Sequence, residues 1–408
     1  MTRRHDLPAL LTGIMATLAG IGVARFAYTP LLPALIEQHW FTASQAAYLG
    51  AANLLGYFIG ALAAHRLSER FSPRWVMAAA FAGIGLSFLA CATPGTIGWF
   101  FVWRLVSGVA GAILMVVGPS TALAATPPHR RATVGALVFT GIGLGALLSA
   151  TLVPLLLEIG LTAAWLALGV LALIAGAVGD WGAVRLDSPS VASHPVPESP
   201  AKARSLGTAA VLLVIAAYGL DAVGFVPHTV FWVDFLAREA ELGHRAASLQ
   251  WALFGVGAVA GPLLAGFVAR HLGWHTGLAM GFMAKTVAVA IPLISLSLIS
   301  RSLSSLLVGA MIPAIVALTS GRLAELVGAK EHKRLWGHAT AVFAAAQAMA
   351  GYAMSALYSA SGIYYPLFAL GGIALAVGIV LILLSRGVAA SSTPTVSPRP
   401  PTLKNRER

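Results

Sequence analysis

Apolar runs of about twenty residues or more follow one another from the start of the chain to Leu384, each long enough to cross the hydrocarbon core of a bilayer. No stack of soluble layers hides so many of them. The chain is 58% hydrophobic and only 10% charged, whereas soluble globular proteins carry roughly a quarter charged residues. In hydrocarbon every backbone polar group must find its partner within the segment, so unbroken runs of this length form helices; barrel strands would alternate apolar and polar residues. The predicted fold class is therefore an all-α polytopic membrane protein.

Polar and Pro/Gly punctuation places the spans near 8–36, 44–65, 75–93, 97–125, 132–157 and 162–184, and again near 206–236, 245–269, 275–299, 302–327, 334–360 and 363–385. Between the two sets, Leu186 to Ser205 is rich in Pro and Ser and reads as a linker. The expected organisation is an N-terminal six-helix bundle (1–185), a linker (186–205), a C-terminal six-helix bundle (206–386) and a disordered tail (387–408). The first run is about twice the length of a signal-peptide apolar region and reads as a retained span. Prolines inside the runs (Pro30, Pro33, Pro119, Pro154, Pro227, Pro262, Pro292, Pro313) are tolerated in membrane helices and are expected to bend them.

Charge placement gives an orientation. Of the 26 Lys and Arg residues, only Arg238, Arg245 and Arg301 fall in loops after odd-numbered spans, and Arg25, Arg104 and Lys285 fall within spans. The remaining 20 lie at the termini and after even-numbered spans. Short basic loops stay in the cytoplasm, so an inner (plasma) membrane protein with both termini cytoplasmic is expected. The same placement accounts for the net charge of +12 without nucleic acid as a partner. The lone Cys91 provides neither a disulfide framework nor a thiolate metal cluster, and neither a metal nor a cofactor is expected.

The halves look related. Gly56 to Leu67 can be laid on Gly261 to Leu272, and nearly the same offset sets Ala136-Leu137-Val138-Phe139 on Thr340-Ala341-Val342-Phe343. Parallel six-span repeats joined by a linker are a transporter architecture with a binding site near the midplane between the repeats.

The stretch Gly20-Ile21-Gly22-Val23-Ala24-Arg25-Phe26-Ala27-Tyr28-Thr29-Pro30-Leu31-Leu32-Pro33 resembles the YbfB-like bacterial branch of the major facilitator superfamily, and the chain resembles that superfamily over nearly its whole length. Glu69-Arg70-Phe71-Ser72-Pro73-Arg74 is similar to the superfamily's loop signature after span two, with Ser72 where a Gly is usual. Arg104-Leu105-Val106-Ser107-Gly108 in span four is similar to the signature associated with proton-coupled members. The Gly-Pro signature of antiporters in span five is not intact, since Gly135, Gly141, Gly143 and Gly145 lack the Pro. The resemblance implies a fold of two pseudo-symmetric bundles, and a central cavity lined by spans one, four, seven and ten. It also implies a cytoplasmic ion-pair gate, for which Glu69, Arg70 and Arg74 are the candidates.

Ionisable groups inside a bilayer are costly and are functional candidates by default. Arg25 shares a helix face with Gly22, Tyr28 and Leu32. In span seven Tyr218, Asp221, Phe225 and His228 recur at three- and four-residue steps and so share a face. Asp221 is the only acid placed near a span midpoint. The expected proton-coupling set is Asp221, His228 and Arg104; the expected substrate-binding set is Arg25, Tyr28, Tyr218, Phe225 and Gln347. Arg25 would pair with Asp221 in one state and with substrate in another. Structural readings stand beside these: a static Arg25–Asp221 pair, a packing role for His228, and a bracing role for Arg104 on span one. Lys285 reads as snorkelling or touching a neighbouring helix, and Asn53 and Gln347 as bonding between helices. Trp40, Trp99, Trp232 and Trp251 read as an interfacial belt.

No metalloprotease motif, paired intramembrane aspartates or phosphate-cradling loop is present, so no enzyme activity is expected. The expected function is that of a monomeric secondary active transporter, surrounded by lipid, that moves a small organic solute, anionic or zwitterionic, with protons by alternating access. The alternatives are a drug/metabolite efflux antiporter and a non-transporting membrane sensor.

Overall fold

The computed structural model describes residues 6–127, 130–186 and 208–391. The expected linker after Leu186 and the expected tail from residue 392 lie outside the described residues. Twelve helices among those described are long and apolar enough to cross a membrane: α1 (Leu7–Glu37), α2 (Ala43–Arg70), α3 (Pro73–Ala90), α4 (Ile97–Ala124), α5 (Thr133–Leu157), α6 (Leu161–Leu186), α7 (Ala209–Glu239), α8 (Gly243–Leu272), α9 (Trp274–Leu293), α10 (Leu298–Gly328), α11 (Arg334–Ser361) and α12 (Tyr365–Arg386). Local chemistry sets their ends. Thr42 and Gln45 form a capping box ahead of α2, and Pro73 occupies the first turn of α3, where its missing N–H costs nothing. Gly362, at φ +71°, closes α11.

Three boundaries differ from the sequence reading by five residues or more. α2 runs to Arg70, past the expected end at 65. The chain leaves α9 at Leu293 through a 3-10 turn containing Pro292, and Ser297 then caps α10 by accepting from the Ser300 N–H at 3.2 Å; apolarity alone extends span nine through this serine-rich corner. At the other end the last helix continues past Arg386 to Ser391.

The packing repeats. In the first half α2 packs on α4, α3 on α6 and α1 on α6; in the second α8 packs on α10, α9 on α12 and α7 on α12. Gly56 and Gly60 bring α2 against the backbone of Leu105 and Val109, and Gly257 and Gly261 bring α8 against Leu306 and Ala310. Small residues at such crossings let backbones approach where lipid supplies no hydrophobic drive. The structural repeat therefore equates Gly56 with Gly257, one helical turn earlier than the overlay on Gly261.

The halves meet along α5–α8 and α2–α11. α1 and α7 are the most enclosed spans, while large apolar side chains such as Val170, Ile174, Ile299 and Ile373 point outward. The hydrogen bonds that join the halves directly, among the described residues, lie toward the face opposite the terminal one. Thr29 donates to the Thr229 carbonyl, Ser44 to Ser359 at 3.0 Å and Trp251 to Ser149 at 2.9 Å; His244 and Glu37 pair at 2.8 Å. That face is closed.

Candidate functional site

Two departures from α-helical winding shape the centre. α1 runs as a π-helix from Leu18 to Phe26, just ahead of Pro30 and Pro33, and α7 does so from Pro227 to Phe231 and from Phe235 to Glu239. Such stretches arise where prolines remove donors, and they free carbonyls for other partners. The Ala24 carbonyl accepts from Asn53 at 3.1 Å, Arg104 at 3.1 Å and Ser107 at 3.2 Å. α2 and α4 thus grip α1 at its irregular turn. Arg104 also lies over the Tyr28 ring at 4.2 Å, and the Tyr28 hydroxyl donates to the Ala46 carbonyl at 2.7 Å. This is the bracing geometry, with Tyr28 committed to it, and it does not bring Arg104 to Asp221. Asn53 bonds between helices as expected.

Arg25 is 6% exposed. Its guanidinium lies 4.3 Å over the Tyr57 ring, and its Nε and Nη2 have no hydrogen-bond partner. The expected Arg25–Asp221 pair does not form here. Asp221 is instead bonded to Lys285 of α9 at 2.7 Å, both side chains being essentially dry. The lysine stem carries its ammonium across the Phe225 ring, at 4.4 Å, so a helix expected at the periphery supplies the counter-charge. Asp221 Oδ2 has no partner.

The remaining members of the span-seven face separate. Tyr218 stacks on Phe343 at 4.5 Å and on Trp336 at 5.6 Å, and Phe225 tilts against Phe343 at 5.8 Å, so α7 and α11 share an aromatic wall. Gln347 is fully buried on α11 with neither amide atom partnered. His228 faces elsewhere: its Nε2 meets the Ser304 hydroxyl at 2.8 Å, its ring stacks on Trp232 at 4.6 Å, and its Nδ1 is unpartnered.

The pairs that the gate candidates form among the described residues lie within the first half. Glu69 pairs with His65 at 3.1 Å, Arg74 holds Asp180 through Nε at 2.6 Å and Nη2 at 3.0 Å, and Arg70 is exposed. Of the four tryptophans assigned to the interface, Trp232 and Trp251 are fully buried, because serines reach their indole N–H groups.

Three features escaped the sequence reading. Lys285 was visible as an intramembrane cation, but nothing in the order of residues pointed it at Asp221. Tyr57 lies one turn from Asn53 on the same face of α2, a spacing that would have flagged it. Asp234 is fully buried, holds Arg238 at 2.5 and 2.6 Å and accepts from Tyr364; its signal was the Asp–Arg spacing of four residues. Tyr364 lies outside the spans, and burial, reinforced by Asp234, pushes its phenol well above the ordinary range.

Comparison with known proteins agrees with this architecture. The chain is 28% identical over 174 residues to the putative uncharacterized transporter YgaY of Escherichia coli strain K12, a match covering 42% of this chain and 44% of that protein. The uncharacterized transporter YgaY of Escherichia coli O157:H7 matches to the same extent. The matched stretch thus spans less than half the length of these relatives. A family described as "Uncharacterised MFS-type transporter YbfB" matches residues 17–383, nearly the whole of the twelve-helix body, and the chain belongs to it, as a multi-pass membrane protein of the major facilitator type.

Proposed function

We propose that the protein is a secondary active transporter that moves a small anionic or zwitterionic organic solute across the bacterial plasma membrane, together with protons, by alternating access. The observation that carries this reading is the dry Asp221–Lys285 pair at mid-span. A proton delivered to Asp221 neutralises the carboxylate and leaves the Lys285 ammonium without its counter-charge in a low-dielectric site. A negatively charged solute restores the balance, so proton and solute favour each other's presence. The chain carries no nucleotide-binding motif, and an ion gradient is the energy source in this reading.

The basic residues after even-numbered spans support cytoplasmic termini, which makes the closed face the external one. Residues 1–185 and 206–386 act as the two moving bundles, and α1 and α7, enclosed at the centre, report the site's state to both. His228, hydrogen-bonded between α7 and α10, is assigned to packing, and Arg104 to positioning of α1.

The test is proton movement in sealed proteoliposomes of the purified protein, followed with a pH-sensitive dye across organic anions, amino acids and cationic drugs. Solute-dependent proton flux that disappears in Asp221→Asn is the expected result. Flux that persists unchanged in that variant would remove Asp221 from the mechanism, and saturable flux indifferent to the pH gradient would make the protein a facilitator.

A further inference from the structure

Two arginines of this protein hold a carboxylate bidentately, and both do so through the same edge of the guanidinium. Arg74 uses Nε and Nη2 on Asp180, and Arg238 uses Nε and Nη2 on Asp234. The planar fork of the guanidinium matches the two oxygens of a carboxylate at that edge. Arg25 presents the same two nitrogens, buried and unpartnered, while its flat face is fixed on the Tyr57 ring. The ring contact sets the plane of the fork and leaves its edge turned into the protein interior.

A second unpartnered group lies in the same layer. Gly351 of α11 packs against Leu54 and Ala51 of α2, and the two helices cross the membrane in opposite directions. One turn from this contact toward the terminal face stands Gln347 on α11 and Tyr57 on α2. Gln347 leaves both a donor and an acceptor unused, at a depth where unmet polar groups cost free energy. Tyr218 stacks on Phe343 of the same helix as Gln347 and adds an aromatic surface.

We infer that the transported solute is a small organic carboxylate, seated bidentately on the Nε/Nη2 edge of Arg25, with a second polar group such as a hydroxyl or carbonyl on the Gln347 amide. Its carbon skeleton lies against Tyr57 and Tyr218. Asp221 offers a cationic solute only Oδ2, beside the Lys285 ammonium that holds Oδ1 and repels a second cation. A phosphate dianion would draw on more than one cationic donor, and Arg104 is occupied with the Ala24 carbonyl and the Tyr28 ring. The inference deepens the transport reading and rests on it for the word "transported"; the binding edge itself stands on geometry.

The experiment measures binding to the purified full chain in detergent, by thermal stabilisation and tryptophan fluorescence. The probes are acetate, lactate and benzoate, their primary amides, and tetraphenylphosphonium. At least one acid is expected to bind where its amide does not. Arg25→Lys keeps the charge but not the fork, and should weaken that acid roughly ten- to hundredfold, as loss of a charge-assisted hydrogen bond does. Gln347→Ala should weaken lactate more than acetate. Equal binding of acids and amides, preference for the cation, wild-type affinity in Arg25→Lys, or no binding of any acid to folded protein would overturn the assignment. Flux of the cation that is lost in Asp221→Asn would overturn it while leaving proton coupling intact. Arg25-dependent acid binding without any flux would do the reverse.

Discussion

Substituting Lys285 by Met and Asp221 by Leu, singly and together, separates the stability of the central ion pair from its role in transport. The pair is dry and 2.7 Å long. At that distance, with an effective dielectric constant of about 20, the attraction is about 6 kcal/mol. Removing both charges from water costs several kcal/mol each, so the intact pair adds little net stability. Removing one partner is different: the survivor keeps its desolvation cost and has, on the lysine side, only the face of Phe225 at 4.4 Å. Each single substitution should therefore destabilise the protein by about 3–5 kcal/mol. The double substitution, which leaves an apolar contact in place of two ions, should return to within about 1 kcal/mol of the parent. Equilibrium unfolding of purified protein in mixed micelles measures all three. The double variant should also be folded yet unable to couple solute to protons. Single variants as stable as the parent, or a double variant as unstable as the sum of its parts, would refute the reasoning.

Cys91 lies outside the spans and burial pushes its thiol up to about 12, only partly opposed by Arg104. Maleimide should therefore leave it unlabelled in the folded protein at neutral pH and label it fully after denaturation; labelling in native micelles would show that its pocket opens. With Cys91 silent, Ser44→Cys/Ser359→Cys is expected to cross-link on mild oxidation, because the two hydroxyls sit 3.0 Å apart across the halves. The cross-link should arrest flux until reduced, and free flux in the cross-linked protein would mean that the closed face does not open during turnover. Gly56→Val and Gly257→Val should each destabilise by at least about 1–3 kcal/mol, since a side chain at either site meets backbone of the neighbouring helix. A cost at one site alone would argue against equivalent crossings.

The twelve spans were legible because membrane helices announce themselves by length and apolarity, signals that survive without knowledge of neighbours. Their ends were legible only where apolarity stopped, so the Ser295–Ser297 corner was absorbed into span nine. The repeat was visible but its register slipped by one turn: glycines and alanines recur at helical spacing, and Gly56 matches Gly261 as well as Gly257 on composition alone. Only the crossing with Leu105 and Leu306 separates the two. At the centre, Arg25, Asp221, Tyr218, Phe225 and Gln347 stood out as candidates because polar or aromatic groups on an apolar face are conspicuous. Their pairing was not, since a lysine stem reaches far enough to choose among several helices, and sequence order does not say which helix stands beside α7.

The closed face shows why such an arrangement can move. Among the described residues the direct hydrogen bonds that hold it are Thr29–Thr229, Ser44–Ser359, Trp251–Ser149 and Glu37–His244, and at about 1 kcal/mol each they amount to roughly 4 kcal/mol. The last is about half exposed on both sides, which lowers its share further. Reversing a two-state equilibrium from 1:99 to 99:1 takes about 5.5 kcal/mol, so the polar part of this latch is within reach of the proposed solute and proton acting together, beside the Phe26–Trp251 and Phe26–Phe254 contacts that also span the halves. The grip of α2 and α4 on the Ala24 carbonyl is of another kind. It lies within one half, at the irregular turn next to Arg25, and nothing in a rocking motion of the bundles strains it. In the proposed reading the Arg25 edge is held on the first half and the Asp221–Lys285 pair on the second, and opening breaks both the polar contacts and the packing at the face where the halves part.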